Sequence, residues 1–161
     1  MVLPIHDGAC CFKGRSLVEP KSLLEHINDR LSWEEYALQL ATAAAARSED
    51  PYERVGACVL RLDYSVAGVG YNGAPSGVEI DWSDRDRRRE RVVHAEVNAL
   101  RYVRPDEGYI LASTLMPCQD CMRTAAAFGI ERIVYREVYS KDETAISLAE
   151  EFGIALEQLP D

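Results

Sequence analysis

The sequence predicts an α/β domain: a three-layer α/β/α sandwich around a mixed five-stranded sheet whose last two strands run parallel. Three observations predict it. Helical and strand patterns alternate along the chain in the order α-α-β-β-α-β-α-β-α-β, and such alternation builds a largely parallel sheet covered on both faces. The first two strands are separated only by a turn, which makes them one antiparallel hairpin. The last two enclose a helix, which a hairpin would not need, so they run parallel.

Each element has a local reason. Residues 1–19 hold Pro4, Gly8 and Gly14 with little periodicity and read as an irregular arm. Leu23, Leu24, Ile27 and Leu31 fall at helical spacing and predict a short amphipathic helix over 20–31. Arm and short helix thus make up 1–31, and one domain occupies 32–161. Ser32 opens a capping box with Glu35, and an alanine-rich helix follows from Trp33 to Arg47. Ser48-Glu49-Asp50-Pro51 ends it, because the residue before a proline avoids helical geometry. Val55–Leu62 reads as a buried strand, Asp63-Tyr64 as a turn and Val66–Tyr71 as the returning strand. Residues 72–92 form a long connection with Gly73, Pro75 and Gly77; a stretch of that length in a small domain is functional or partly helical. Then come a helix over His94–Val103, a strand over Tyr109–Ser113 and a helix over Cys118–Phe128 that stops at Gly129. A strand over Ile130–Tyr135, a helix over Glu143–Phe152 closed by Gly153, and a strand over Ile154–Gln158 complete the order.

Composition narrows the function classes. A chain of 161 residues, 47% hydrophobic and 28% charged, is ordinary globular material, and its length lets it bury roughly 68–70% of its unfolded surface. No apolar run approaches the roughly 20 residues that a membrane-spanning helix needs. Met1–Gly14 lacks the basic and apolar regions of a secretory leader, so a reducing cytoplasm is the expected compartment and no membrane partner is expected. The formal net charge of −9 argues against a grip on long nucleic acid but leaves room for a single nucleotide. Cys10, Cys11, Cys58, Cys118 and Cys121 are odd in number and suit ligand or core roles better than disulfides.

The chemistry is carried by His94-Ala95-Glu96 and Pro117-Cys118-Gln119-Asp120-Cys121. One imidazole and two thiolates make a three-ligand zinc site with a fourth position for water. Cys118 and Cys121 are three apart, so one helical turn presents both sulfurs on one side. A helix N-terminus also favours the thiolate that binds metal. Zinc brings the pKa of bound water to roughly 7, which yields a hydroxide nucleophile. Glu96, two residues past His94, need not be a ligand, and its carboxylate can shuttle protons to a ring nitrogen and a leaving amine. That is the chemistry of hydrolytic deamination, and His-x-Glu followed by Pro-Cys-x-x-Cys is the general pattern of zinc nucleobase deaminases. A Cys-x-x-Cys alone would equally suit a redox pair or a closed structural zinc site with Cys58 as fourth ligand. His6, Cys10 and Cys11 form a second, weaker cluster in the arm.

These motifs resemble the cytidine and deoxycytidylate deaminase superfamily, and most closely its deoxycytidylate (dCMP) branch. The likeness covers residues 33–159 and rests on four stretches: Ser48-Glu49-Asp50-Pro51 with Val55-Gly56-Ala57-Cys58, Gly70-Tyr71-Asn72-Gly73-Ala74-Pro75-Ser76-Gly77, His94-Ala95-Glu96-Val97-Asn98-Ala99, and Pro117–Cys121. The resemblance implies a cytidine-deaminase-like fold and conversion of dCMP to dUMP and ammonia. It implies one zinc per chain on His94, Cys118 and Cys121, with Glu96 as proton shuttle. It further implies the Ala95 backbone beside the base, Asn72 on the sugar and Tyr139 beside the substrate. Asn72-Gly73 is also a turn signal, and Tyr139 also suits loop packing. A homo-oligomer is expected, from the family and from the flat alanine-rich face of 37–46.

The departures matter too. Val78-Glu79-Ile80-Asp81-Trp82 holds no cysteine or histidine where many relatives place one, so a second zinc is not expected. Met116 before Pro117 differs from the Leu-Glu-Pro-Cys of transfer-RNA adenosine deaminases. Arg85, Arg87, Arg88, Arg89 and Arg91 alternate with Asp84, Asp86 and Glu90. They read either as a phosphate clamp or as a solvated, self-paired segment. Ser48, Arg47 and Arg54 are equal candidates for a phosphate. The competing functions are a zinc deaminase of another base (cytidine, a modified cytosine nucleotide, guanine or adenosine) and a non-catalytic nucleotide-binding zinc protein.

Overall fold

The computed structural model describes residues 30–138 and 142–160. The predicted helix over 20–31, the His6, Cys10 and Cys11 cluster, and Tyr139 lie outside them, apart from the last two residues of that helix, which are not helical.

Helix α1 (Trp33–Ala45) starts on the predicted capping box. The Glu35 N–H donates to Ser32 Oγ (3.1 Å), and the Ser32 N–H donates to the Glu35 carboxylate (2.7 Å). Ala37, Leu38, Ala41, Ala44 and Ala45 are its buried stripe, at the i, i+3, i+4 spacing of an amphipathic helix. Its small residues let it lie hard against strand β1 (Gly56–Leu60): a Cβ at Gly56 would stand 1.9 Å from the Ala41 carbonyl.

β1 turns back into β2 (Val66–Tyr71), its antiparallel partner. The remaining elements are α2 (Arg85–Arg91), α3 (Ala95–Leu100), β3 (Ile110–Leu115), α4 (Gln119–Ala127), β4 (Arg132–Glu137), α5 (Glu143–Glu151) and β5 (Ala155–Gln158). The strand order is β2-β1-β3-β4-β5. β1 is antiparallel to both β2 and β3, whereas β3, β4 and β5 run parallel. The mixed five-stranded sheet with its last two strands parallel therefore stands. The antiparallel hairpin β1–β2 stands as well, but it is not the whole antiparallel part of the sheet: β1 also pairs antiparallel with β3. The physical reason is the position of β1. β2 and β3 do run the same way across the intervening α2 and α3, but β1 lies between them.

Side chains alternate across the sheet. Cys58, Leu60, Ile110, Ala112 and Val134 pack with α1 on one face. Ala57, Val59, Leu111 and Ile133 pack with α3, α4 and α5 on the other. α3 sits close on β2, since a Cβ at Gly70 would lie 2.3 Å from the Ala99 nitrogen. α4 and α5 are C-capped by Phe128 and Phe152, followed by Gly129 and Gly153 at φ +74° and +71°, the left-handed position that glycine takes without strain.

The long connection holds one helix that periodicity did not find. α2 has no apolar stripe; it starts because the Asp84 carboxylate accepts from the Asp86 and Arg87 N–H groups (3.1 and 3.0 Å). Gly73 and Val93 exchange backbone hydrogen bonds of 3.1 and 2.9 Å, which closes the connection at its base and returns the chain to the end of β2. Among the described residues no helix is long and apolar enough to cross a membrane.

Candidate active site

Because β2 and β3 run the same way, α3 and α4 both begin at one edge of the sheet. Open α/β sheets bind ligands at the carboxyl ends of their strands. His94 is the N-cap of α3 and Cys118 the N-cap of α4, and neither side chain caps its helix. Buried Pro117 leads into α4, and the α4 start is tied to that of α5: Asp142 accepts from the Gln119 N–H (3.2 Å) and the Ala145 N–H (3.1 Å).

The His94 imidazole nitrogen Nδ1 lies 3.2 Å from Cys121 Sγ and 3.6 Å from Cys118 Sγ. All three donor atoms fall within 4.8 Å of one another, the one such group among the described residues. A tetrahedral zinc with bonds of roughly 2.0–2.3 Å holds its ligand atoms about 3.5 Å apart, so the donor set and its spacing fit zinc. The Cys118 thiol is held down to about 4, first by the hydrogen bond from Cys121 and then, against the opposing effect of burial, by His94. Cys121 is the thiol that keeps the proton and is pushed up in turn, first by its bond to Cys118 and then by burial. Cys58 faces α1 across the sheet, and burial pushes its thiol up to about 12. It is a core residue, so a closed structural site with Cys58 as fourth ligand is ruled out.

Glu96 is only 4% exposed. Burial raises its carboxyl above the usual range, which favours the protonated form at need. Ser113 Oγ stands 3.5 Å from its Oε1. Despite the two-residue spacing, Glu96 lines the same cavity as His94 and Cys118. That cavity, of about 580 Å³, is also lined by Ala95, Asn72, Leu115, Met116, Tyr52 and the arginines Arg85, Arg88 and Arg89.

Beside the cysteines and histidine stands a cluster that spacing did not foretell. The Asp50 carboxylate, 1% exposed, forms an ion pair with Arg88 Nη1. It also accepts from the Tyr52 N–H (2.9 Å), the Glu53 N–H (3.1 Å) and Asn72 Nδ2 (3.2 Å). Asn72 Nδ2 donates in addition to the Glu53 carbonyl (2.9 Å), and its Oδ1 accepts from the Val55 N–H (2.8 Å). Both amide hydrogens of Asn72 are thus committed to the loop, and one Oδ1 lone pair is left for a ligand.

The other expected substrate contacts divide. Ala95 is on the cavity wall. Ser48 is buried behind it, donating to the Asn72 carbonyl (2.8 Å) and accepting from the Asp50 N–H (3.2 Å), so its hydroxyl braces the loop. Arg54 is exposed and, like Ser48 and Arg47, is not among the lining residues. The arginine segment is neither all clamp nor all solvated face. Arg87 and Arg91 pair with Asp84 (3.8 Å) and Glu90 (3.1 Å) at the surface, whereas Arg88 is the buried residue of α2. Asp50 was visible in sequence as the residue before Pro51, but its partner 38 residues away was not.

A family profile, the cytidine and deoxycytidylate deaminase zinc-binding region, matches residues 31–137. The chain belongs to this family. Human deoxycytidylate deaminase is 32% identical over 118 residues, 67% of this chain and 66% of that protein. The deoxycytidylate deaminase of Mycobacterium phage D29 is 41% identical over 124 residues, 66% of this chain and 95% of that protein. The chain therefore spans slightly under two thirds of its mammalian relative and nearly all of the phage one. In three dimensions, the apo dCMP deaminase of cyanophage S-TIM5 is similar with a TM-score of 0.65 and 27% identity, over 78% of this chain and 96% of that one. Membership of a family described by its zinc-binding region gives the His94, Cys118 and Cys121 cluster a zinc-site context.

Proposed function

We propose that this chain hydrolyses dCMP to dUMP and ammonia, with one zinc per chain and with residues 32–161 as the catalytic domain. The observation that carries the reading is a shared wall. One cavity is lined by the metal-ligand candidates His94 and Cys118, by buried Glu96 and by Arg85, Arg88 and Arg89. A base-deaminating group and phosphate-seeking cations are therefore within one ligand-sized space.

His94 Nδ1 and the sulfurs of Cys118 and Cys121 would hold the zinc, which supplies activation of water for attack on the ring carbon bearing the amine. Glu96 would take one proton from the attacking water and pass it to the ring nitrogen, then take the second from the hydroxyl added to the ring carbon and pass it to the departing amine. Its burial keeps the proton within the site and away from bulk solvent. The C–N bond breaks as the new carbonyl forms, and ammonia leaves. The Ala95 backbone borders the base. The remaining lone pair of Asn72 Oδ1 accepts from a sugar hydroxyl. By the family resemblance Tyr139 is the residue beside the substrate, and Ser48 supports the loop that carries Asn72. The substrate is a free nucleotide rather than a nucleic acid, in keeping with the net charge of −9. The same reading places a homo-oligomer in the cytoplasm.

The test is ammonia release from dCMP, CMP and cytidine on zinc-loaded protein, with metal content measured in parallel. Turnover of dCMP well above the others supports the reading. Turnover of none, with zinc bound, overturns it and moves the substrate to another base.

A further inference from the structure

We infer that Arg88 is the specificity-determining residue for the 5′-phosphate, with Asp50 as its brace. This rests on the nucleotide reading above. Arg88 is 8% exposed, rare for a guanidinium without full partners. Its Nη1 is spent on the Asp50 carboxylate. Its Nε, on the guanidinium edge away from that pair, is buried and has no hydrogen-bond partner. Buried donors in native proteins are almost always satisfied, so an orphan on a cavity-lining side chain calls for a ligand atom. The edge that carries Nε suits two oxygens of one phosphate.

The surroundings fix that edge. The Tyr52 ring lies over the guanidinium, 5.0 Å from Cζ, and the stacking holds its plane. Tyr52 itself is about half exposed (53%), and it covers the face of the guanidinium rather than its edge. The Asp50 oxygens are occupied by Tyr52 and Glu53 N–H groups and by Asn72. Asp50 is therefore fixed by its own loop, and it holds Arg88 at a set depth rather than competing freely for cations. Through Asn72 the same carboxylate touches the residue assigned to the sugar. Sugar and phosphate contacts thus share one anchor, which makes the distance between them rigid. Arg85 and Arg89 line the same cavity and add positive charge, while Glu53 and Glu96 oppose it.

Arg88→Lys keeps a cation for Asp50 but removes the Nε edge. The readout is the ratio of kcat/KM for dCMP to that for deoxycytidine, which cancels general damage. Zinc content and the thermal midpoint serve as folding controls. The expected ratio falls about 10- to 100-fold, the worth of one charge-assisted hydrogen bond. Calorimetric binding of dUMP against deoxyuridine gives a second readout that needs no turnover, with the same loss of preference. If wild-type protein prefers dCMP and Arg88→Lys keeps both preferences, the phosphate sits elsewhere and the inference fails while the deaminase reading stands. If wild-type protein deaminates nothing yet dUMP binding depends on Arg88, the deaminase reading fails and the phosphate site stands.

Discussion

Two clusters face one cavity and are built in opposite ways. His94, Cys118 and Cys121 stand on the first turns of α3 and α4, whose far sides are core: Ala95, Ala99 and Leu100 on one helix, Met122 and Ala125 on the other. Their positions follow from helix starts that packing has already fixed. Asp50 and Arg88 come from a loop and from a seven-residue helix with no apolar stripe. They are held by each other, by Tyr52 and by Asn72. The difference teaches where each kind of damage will show. The metal cluster can lose a chemical group and keep its frame, whereas the Asp50–Arg88 cluster is itself the frame of its loop.

The largest effect expected breaks the chemistry without touching the frame. Glu96→Ala should lower kcat by about 10²- to 10⁴-fold, as loss of a general acid–base does. Metal analysis should still find zinc on the variant protein; loss of zinc would make Glu96 a ligand or a support for one. The opposite case is Asp50→Ala, which strands a buried arginine. Urea unfolding should register about 3–5 kcal/mol of lost stability. A loss below about 1 kcal/mol would mean that the pair is solvated and that the two clusters are less different than described. Gly70→Ala probes how α3 is seated, since the new Cβ would meet the Ala99 nitrogen at 2.3 Å. A thermal melt should show a cost of about 1–3 kcal/mol, with activity falling as His94 and Glu96 shift. The smallest effect belongs to Ser32→Ala, remote from both clusters. Loss of the α1 capping box should cost about 1 kcal/mol and leave kcat alone; a change in kcat would show that α1 is coupled to the site.

What was legible in the sequence follows the same division. The metal ligands could be read because Cys118 and Cys121 share one turn and His94-x-Glu96 opens a helix, both local facts. Helix stops at Gly129 and Gly153 were legible for the same reason. The insertion of β1 between β2 and β3 was not, because strand alternation reports direction and not neighbour order. α2 escaped since its seven residues, all charged, carry no hydrophobic period. Burial of Ser48 and exposure of Arg54 both depend on which side of the Asp50 loop faces inward. The contacts that hold that loop join residues far apart in the chain: Ser48 to Asn72, 24 residues on, and Asp50 to Arg88, 38 residues on.

The central claim is that one cavity joins a deaminating centre to a phosphate-reading cluster. It is tested most directly by kcat/KM for dCMP and for deoxycytidine, measured side by side on the same zinc-loaded protein. The account predicts a preference for dCMP of about 100-fold or more, the worth of about two charge-assisted hydrogen bonds. Equal values for the two would contradict it, leaving a nucleoside deaminase whose Asp50–Arg88 pair is structural.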